Sequence, residues 1–432
     1  MVLPITAEVN QRGHLEIGGC DTVELAREHG TPLFILDEET IRSQCRLYLR
    51  AFRELSPKAE IIYAGKAFLS LKMCEIVAEE GLFLDVSSGG ELYLAHKAGF
   101  PRQKIFFHGN NKTPDELRLA LDVGIGRVVV DSENELFLLN QQAKEKRKKA
   151  DILLRITPGV IPTTHSYIQT GQEDSKFGFG LARGVALNGV KKAMSYSNLH
   201  LKGIHFHIGS QIFVLGSYAK AIDVLMNFVK EIKDETGFEA EEVNAGGGLG
   251  IKYRASDEPS SILEYAQVIV GGVRKAVGEF NLSFPKIMIE PGRSIVGNAG
   301  VTLYTIGTMK EIPGVRTYAS VDGGMSDNLR PLLYGAVYEA LLANRAKDEA
   351  TSKVTIAGKH CESGDILIKE ALLPHPETGD ILCTPATGAY GYVMANNYNK
   401  QRRPPVILVK EGEAKVIVCR ETYDDLLRLE RT

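Results

Sequence analysis

Ile61-Ile62-Tyr63-Ala64-Gly65-Lys66-Ala67 is an apolar, β-prone run that stops on a single lysine, and a helix pattern starts soon after it at Leu71. A short apolar run closed by a turn residue reads as a buried strand. A charge at the end of such a strand needs a reason, because an unpaired buried cation is costly. A lysine held there titrates easily, and it is the side chain that forms Schiff bases with carbonyl compounds. A lysine that snorkels from the strand end into water is the plain alternative. For Lys66 alone that alternative is the favoured reading; the rest of the chain reverses it.

The strand-then-helix unit around Lys66 repeats along the chain. Strands are predicted at 61–64, 83–86, 104–107, 127–130, 151–156, 201–208, 242–245 and 286–289. Helices are predicted between them, at 71–80, 90–98, 114–123, 133–149, 181–194, 216–235 and 262–277, with one before them at 39–55. Eight β-α pairs are the count of an α/β protein built as a (β/α)8 TIM barrel, whose active sites form where the βα loops converge. A doubly wound open sheet is the competitor. Polar motifs at many strand ends favour the barrel. After residue 296 short β-prone runs separated by turn residues take over, which reads as a second, mostly β domain, a β-barrel or sandwich. The first 36 residues also look β-rich. The expected division is therefore 37–295 for the barrel, with 1–36 and 296–432 together forming the β domain from both chain ends.

The chain has 432 residues, 44% hydrophobic and 24% charged, with a net charge of -3. That is ordinary for a soluble globular protein of two domains. It gives no sign of nucleic acid or an anionic membrane as a partner. No apolar run is long enough to span a bilayer, and residues 1–10 lack a secretory signal pattern. The six cysteines are scattered with no Cys-x-x-Cys pair. This points to reduced thiols in a cytoplasm rather than a disulfide frame or zinc site.

Five predicted strands end in polar or glycine-rich motifs. The second ends in Asp85-Val86-Ser87-Ser88-Gly89-Gly90, where small residues let a ligand approach; taken alone, a capped turn explains it better. The third ends in His108-Gly109-Asn110-Asn111-Lys112, a polar site or a turn. The sixth carries His205 and His207 on one face, followed by Ser210. A metal pair would need a third ligand, and Lys66 is a poor neighbour for a dication. A flat imidazole stacking on an aromatic cofactor fits His207 better, with His205 as a hydrogen-bonded interior residue. The seventh ends in Gly246-Gly247-Gly248, which exposes backbone N–H groups as a phosphate cradle does. Phosphate sites of these barrels often follow strands seven and eight. The eighth ends in Glu290-Pro291-Gly292-Arg293. A buried carboxylate there needs a partner. That partner is a protonated ring nitrogen or, more plainly, Arg293. One ligand satisfies all of these groups: an aldehyde for Lys66, a ring nitrogen for Glu290, a ring face for His207 and a phosphate for the glycines. Pyridoxal 5'-phosphate has all four.

On these motifs the chain resembles the diaminopimelate decarboxylases of the alanine-racemase-like class, from about residue 20 to 428. Tyr-Ala-Gly-Lys-Ala at Lys66, His-Ile-Gly-Ser-Gln at His207, the triple glycine and Glu-Pro-Gly-Arg match in order and spacing. In the second domain, Gly323 to Pro331 with Arg330, and Tyr334, resemble the family's substrate-carboxylate segment. Cys361-Glu362-Ser363-Gly364-Asp365 resembles its signature loop, and Gly388-Ala389-Tyr390 the segment whose tyrosine reaches the cofactor phosphate. Thr164 to Tyr167 and Ser175 to Gly178 also fit. Phe68 departs from the asparagine that many relatives carry.

The resemblance implies decarboxylation of meso-2,6-diaminopimelate to L-lysine and carbon dioxide. It implies a head-to-tail homodimer with shared sites, in which Cys361 and Glu362 serve the neighbour's Lys66. It gives Lys66 and Cys361 catalytic roles. Asp85, His207, Ser210, Gly247, Gly248, Glu290, Gly292, Arg293 and Tyr390 are then cofactor contacts. Arg293, Arg330, Tyr334, Glu362 and Tyr390 are substrate contacts, with no metal. The rivals are decarboxylases of another amino acid or of a carrier-bound glutamyl group. Ornithine and arginine types fit less well, since they need no arginine cluster for a distal carboxylate.

Overall fold

The computed structural model describes residues 1–160 and 174–431. Thr164 to Tyr167, part of one family-like segment, lie outside the described residues. The chain divides into two compact units. One comprises Cys45–Gly250 and Pro259–Ser294; the other comprises Met1–Gln44, Ile251–Glu258 and Ile295–Thr432.

The first unit holds eight parallel strands. They are β1 (Glu60–Ala64), β2 (Phe83–Val86), β3 (Ile105–Phe107), β4 (Arg127–Val130), β5 (Ala150–Thr157), β6 (Leu199–His205), β7 (Glu242–Asn244) and β8 (Lys286–Ile289). Each pairs with the next, and β8 returns to β1 with Met288 opposite Glu60 and Ile289 opposite Ile61. The sheet therefore closes, and the expected (β/α)8 barrel is found. Its interior is a packed core, not a pore: Ile62, Phe106, Val129, Leu153 and Met288 form a cluster no more than 2% exposed. The sequence writes the helix starts openly. Ser88, Thr113, Ser132 and Ser261 each cap a helix by accepting the N–H of a glutamate three residues on. At Thr113 and Ser261 the glutamate bonds back, completing a capping box.

The second unit is built on a mixed sheet. Gly300–Ile312 runs antiparallel to Leu33–Asp37, and Val406–Lys410 runs parallel to that same strand. An N-terminal strand thus lies between two from the C-terminal half, so both chain ends share the unit. Ile251–Glu258 also belongs here, inside the stretch that the sequence assigns to the barrel. The reason is packing: the Tyr253 ring meets Tyr338 edge-on at 5.4 Å, and Lys252 O accepts from Asn298. Some elements escape the sequence reading, among them two of eight residues. A helix at Thr22–His29, capped by Asp21, interrupts the β-rich N-terminus. A strand at Ile366–Leu373 pairs with Ser352–Ala357. Among the described residues no helix is long and apolar enough to cross a membrane.

Candidate active site

In the barrel unit the sequence-predicted residues gather at the C-terminal strand ends. Lys66 is not the last residue of β1. It sits in the 3-10 turn Gly65–Ala67 that follows, and it is exposed. Asp85, on β2, is fully buried. Both of its carboxylate oxygens lack a hydrogen-bond partner among the described residues. Burial pushes this carboxyl up, and the nearby charges of His108 and Lys66 pull it back. Arg155, buried on β5, lies 3.8 Å from Asp131 and 4.3 Å over the ring of Phe177. Asp131 also accepts the N–H of Gly178 at 2.8 Å. Phe177 and Gly178, from the family-like segment, thus dock on the barrel through these two charged groups.

Glu290 is the centre of the arrangement. Its Oε1 accepts from Asn244 Nδ2 at 2.7 Å, and His108 Nε2 lies 2.9 Å from the same oxygen. Its Oε2 meets His205 Nε2 at 3.1 Å. His205 is therefore the interior hydrogen-bonding residue expected. Burial alone would raise the Glu290 carboxyl, but His108 and His205 hold it well below the usual carboxylate range. A carboxylate offers about four acceptor positions; the hydrogen bonds from Asn244 and His205 leave room for a further donor on Oε2. His108, His205 and Glu290 place ligand-type atoms within 4.8 Å of one another, as a metal site would. The positive charges of Arg155, felt at both Glu290 and Asp85, and of Lys66, felt at Asp85, oppose a dication there.

The glycine loop departs from the expected phosphate cradle in detail. Gly246 donates its N–H to Asn244 Oδ1 at 2.9 Å, and Gly247 donates to His207 Nδ1 at 3.2 Å. Two of the three amides are thus committed to side chains. The glycines are required for close packing: a Cβ on Gly247 would stand 2.0 Å from Glu290 O, and one on Gly248 2.1 Å from Gly209 O. Gly248 also has φ +114°, a conformation that disfavours other residues. Tyr218 and Tyr265, packed edge-on at 4.7 Å, support the loop by donating to Gly247 O and Gly246 O. Burial first, then Lys66 and Arg155, keeps the His207 ring well below its ordinary pKa and hence neutral. The Arg293 guanidinium donates twice to Ser210 Oγ, at 3.1 and 3.0 Å.

In the β unit Arg330 is buried. Its guanidinium lies 4.6 Å over the Tyr253 ring and donates to the Tyr338 hydroxyl. Its Nε has no hydrogen-bond partner among the described residues. Tyr334 is half-buried, as is Tyr390, which holds the left-handed conformation at φ 59°. Such strain in a non-glycine residue concentrates at functional sites. Cys361 and Glu362 are exposed, and the Cys361 N–H is fixed on Asn399 Oδ1 at 3.1 Å.

Sequence reasoning left His108 undecided and passed over Asn244, Arg155, Tyr253 and Tyr338. Only position would have flagged the first three: His108 lies just past a strand end, Asn244 at one and Arg155 two residues before one. Nothing in the local sequence marks the two tyrosines.

A family model described as pyridoxal-dependent decarboxylase, pyridoxal binding domain, matches residues 38–297. The diaminopimelate decarboxylase of Halalkalibacterium halodurans is 51% identical over 425 residues, 98% of this chain and 97% of that protein. That of Bacillus subtilis is 49% identical over 430 residues, 100% of this chain and 98% of its own. The crystal structure of diaminopimelate decarboxylase from M. jannaschii in complex with L-lysine superposes with a TM-score of 0.94 at 36% identity, covering 100% of this chain and 99% of that one. A lysine/ornithine decarboxylase from Vibrio vulnificus complexed with putrescine gives a TM-score of 0.76 at 24% identity, covering 90% and 98%, which is a likeness of fold.

Proposed function

The chain belongs to the diaminopimelate decarboxylases, and from that premise we propose how its own residues divide the work. It is a carboxy-lyase that converts meso-2,6-diaminopimelate to L-lysine and carbon dioxide, the last step of lysine biosynthesis, with pyridoxal 5'-phosphate as cofactor.

The observation that carries the assignment of residues is the setting of Glu290. A buried, ionised carboxylate with room for a further donor suits a ring N–H, and the orphaned oxygens of Asp85 suit a polar, positively charged ligand beside it. Lys66 Nζ would hold the cofactor through its aldehyde carbon. Glu290 would accept the ring N–H, and the neutral His207 ring would support the ring's face. In the barrel unit Gly248, Gly292, Ser210 and Arg293 would hold the phosphate, with Gly247, whose N–H is given to His207, making room; in the β unit Tyr390 keeps the phosphate role that the resemblance gives it. When bound, the cofactor supplies the electron sink for the charge left on the α-carbon as carbon dioxide departs. The chain aligns the bond that breaks, and Cys361 or Lys66 returns one proton to that carbon.

In the β unit Arg330 grips the distal carboxylate with Tyr334, because a guanidinium fork matches a carboxylate in geometry as well as charge; Arg293, in the barrel unit, is given the same role. Glu362 pairs with the distal amine. The exposed Cys361 and Glu362 serve the neighbouring subunit's Lys66, which makes the working form a homodimer with shared sites. The scattered free thiols suit a reducing cytoplasm.

The test is carbon dioxide release from meso-diaminopimelate against ornithine, arginine and lysine, with cofactor supplied. Clear preference for meso-diaminopimelate is expected. A preference for ornithine would overturn the roles given to Arg330 and Glu362.

A further inference from the structure

The two ring nitrogens of His205 have unlike surroundings. Nε2 faces Glu290 Oε2 at 3.1 Å, while Nδ1 is buried and has no hydrogen-bond partner among the described residues. A neutral ring puts its one proton on Nε2 and leaves a bare lone pair at Nδ1. An imidazolium would bury an N–H with no acceptor, which is costly. Burial accordingly pulls this ring down to about 4, against the opposing effect of Glu290.

Asn244 is fixed by the same kind of argument. Its Oδ1 is taken by the Gly246 N–H at 2.9 Å, so the amide cannot be turned round, and Nδ2 must be the end facing Glu290 at 2.7 Å. His205 and Asn244 close β6 and β7, so two neighbouring strands each aim an uncharged donor at one carboxylate.

We propose that His205 is a positioning residue for the cofactor ring: its neutral Nε2–H, together with the Asn244 amide and with His108 beside Oε1, keeps Glu290 ionised and aimed so that the site takes the ring nitrogen in its protonated form. The inference rests on Glu290 facing that nitrogen. Neutral donors differ here from an arginine or lysine partner. A cation in contact would cancel the carboxylate's charge and weaken its hold on a ring N–H. Neutral donors localise the charge without cancelling it. Asn244 further links the glycine loop to Glu290, so the phosphate and ring-nitrogen contacts are set by one side chain.

The experiment titrates the apoprotein with pyridoxal phosphate and with an analogue carrying C–H in place of the ring nitrogen, read by the bound ligand's own absorbance. Wild type should prefer the natural cofactor. His205→Phe keeps a flat ring but no donor, and it should lose roughly ten- to a hundredfold of that preference, the worth of one hydrogen bond to a charged group. His205→Gln, which retains an N–H, should keep most of it. Asn244→Ala is read in the same way and serves if His205→Phe does not fold. Unchanged preference in these variants, with preference lost in Glu290→Gln, overturns the proposal alone. Preference retained in Glu290→Gln overturns the reading of Glu290 and the proposal with it.

Discussion

The carboxylate of Asp365 meets the ring of His360, with Oδ2 2.7 Å from Nδ1, and the same oxygen accepts the His360 N–H at 3.0 Å. Its other oxygen accepts the N–H of Met325 at 2.7 Å. One buried group thus ties the loop leading to Arg330 to the loop bearing Cys361 and Glu362. Both side chains are at most 2% exposed. Removing one partner of a buried pair strands the other, so Asp365→Ala should cost about 3 kcal/mol of stability. Asp365→Asn, which keeps an acceptor for Met325, should cost less. Denaturant midpoints of the three proteins check this; a midpoint unchanged in the alanine variant would refute the tie.

Three residues before Arg330, Asp327 is expected to make stability depend on pH. Burial pushes its carboxyl up to about 7, although the Tyr304 hydroxyl at 2.6 Å and the Gly324 N–H at 2.9 Å pull the other way. The folded chain therefore holds this proton where the unfolded chain, near 3.8, has released it. Its contribution is full below about 4 and is lost as the pH rises through about 7. Asp327→Asn cannot ionise. Between pH 5 and 8 it should gain roughly 3 kcal/mol relative to wild type. Parallel denaturation curves at the two pH values measure the gain, and parallel shifts of both proteins would show that Asp327 stays ionised.

Tyr338 and Tyr253 fix the guanidinium assigned to the substrate's distal carboxylate. Tyr338→Phe removes the hydroxyl that accepts from Arg330 and should raise KM for meso-diaminopimelate about tenfold with less change in kcat. Tyr253→Leu removes the ring beneath Arg330, worth about 1–2 kcal/mol, and should act in the same direction. If both variants lower kcat and leave KM alone, Arg330 serves the reacting end instead.

What the sequence disclosed follows from where its signals are local. Ile105 to Phe107 and Val128 to Val130 are continuous apolar runs because a barrel strand is buried on both faces, and Thr113 and Ser132, each with a glutamate three residues on, mark the helices after them. Ile366–Leu373 was passed over because it carries Lys369 and Glu370 at its middle, both exposed at a bulged pairing. Glu290 stood out because a carboxylate at a buried strand end is conspicuous. Asn244, which orients it, was not, because asparagine beside glycines reads as a turn. Arg330 was visible in its motif, whereas Tyr253 comes from a segment 77 residues earlier that only folding brings against it.

Lys66→Ala should abolish the long-wavelength absorbance of the lysine-bound cofactor and the decarboxylation with it. Retention of that band would move the linkage to another lysine and remove the premise of the barrel-end site.

The exposed Cys361 bears on assembly. If Lys66 works with the partner subunit's loop, Lys66→Ala and Cys361→Ala protomers fail for different reasons and can repair each other. A mixed dimer of the two has one site in which both residues are intact and one in which both are lost. Random reassortment of equal amounts makes half the dimers mixed, so activity should recover to about a quarter of wild type, as a two-fold interface with shared sites requires. Sites confined to single subunits would give no recovery at all, because every Lys66 would then face its own altered loop. Sedimentation of the mixture, run beside the assay, shows whether exchange has taken place. Exchange without recovered activity would rule out the shared site while leaving the barrel and its Glu290 clamp untouched.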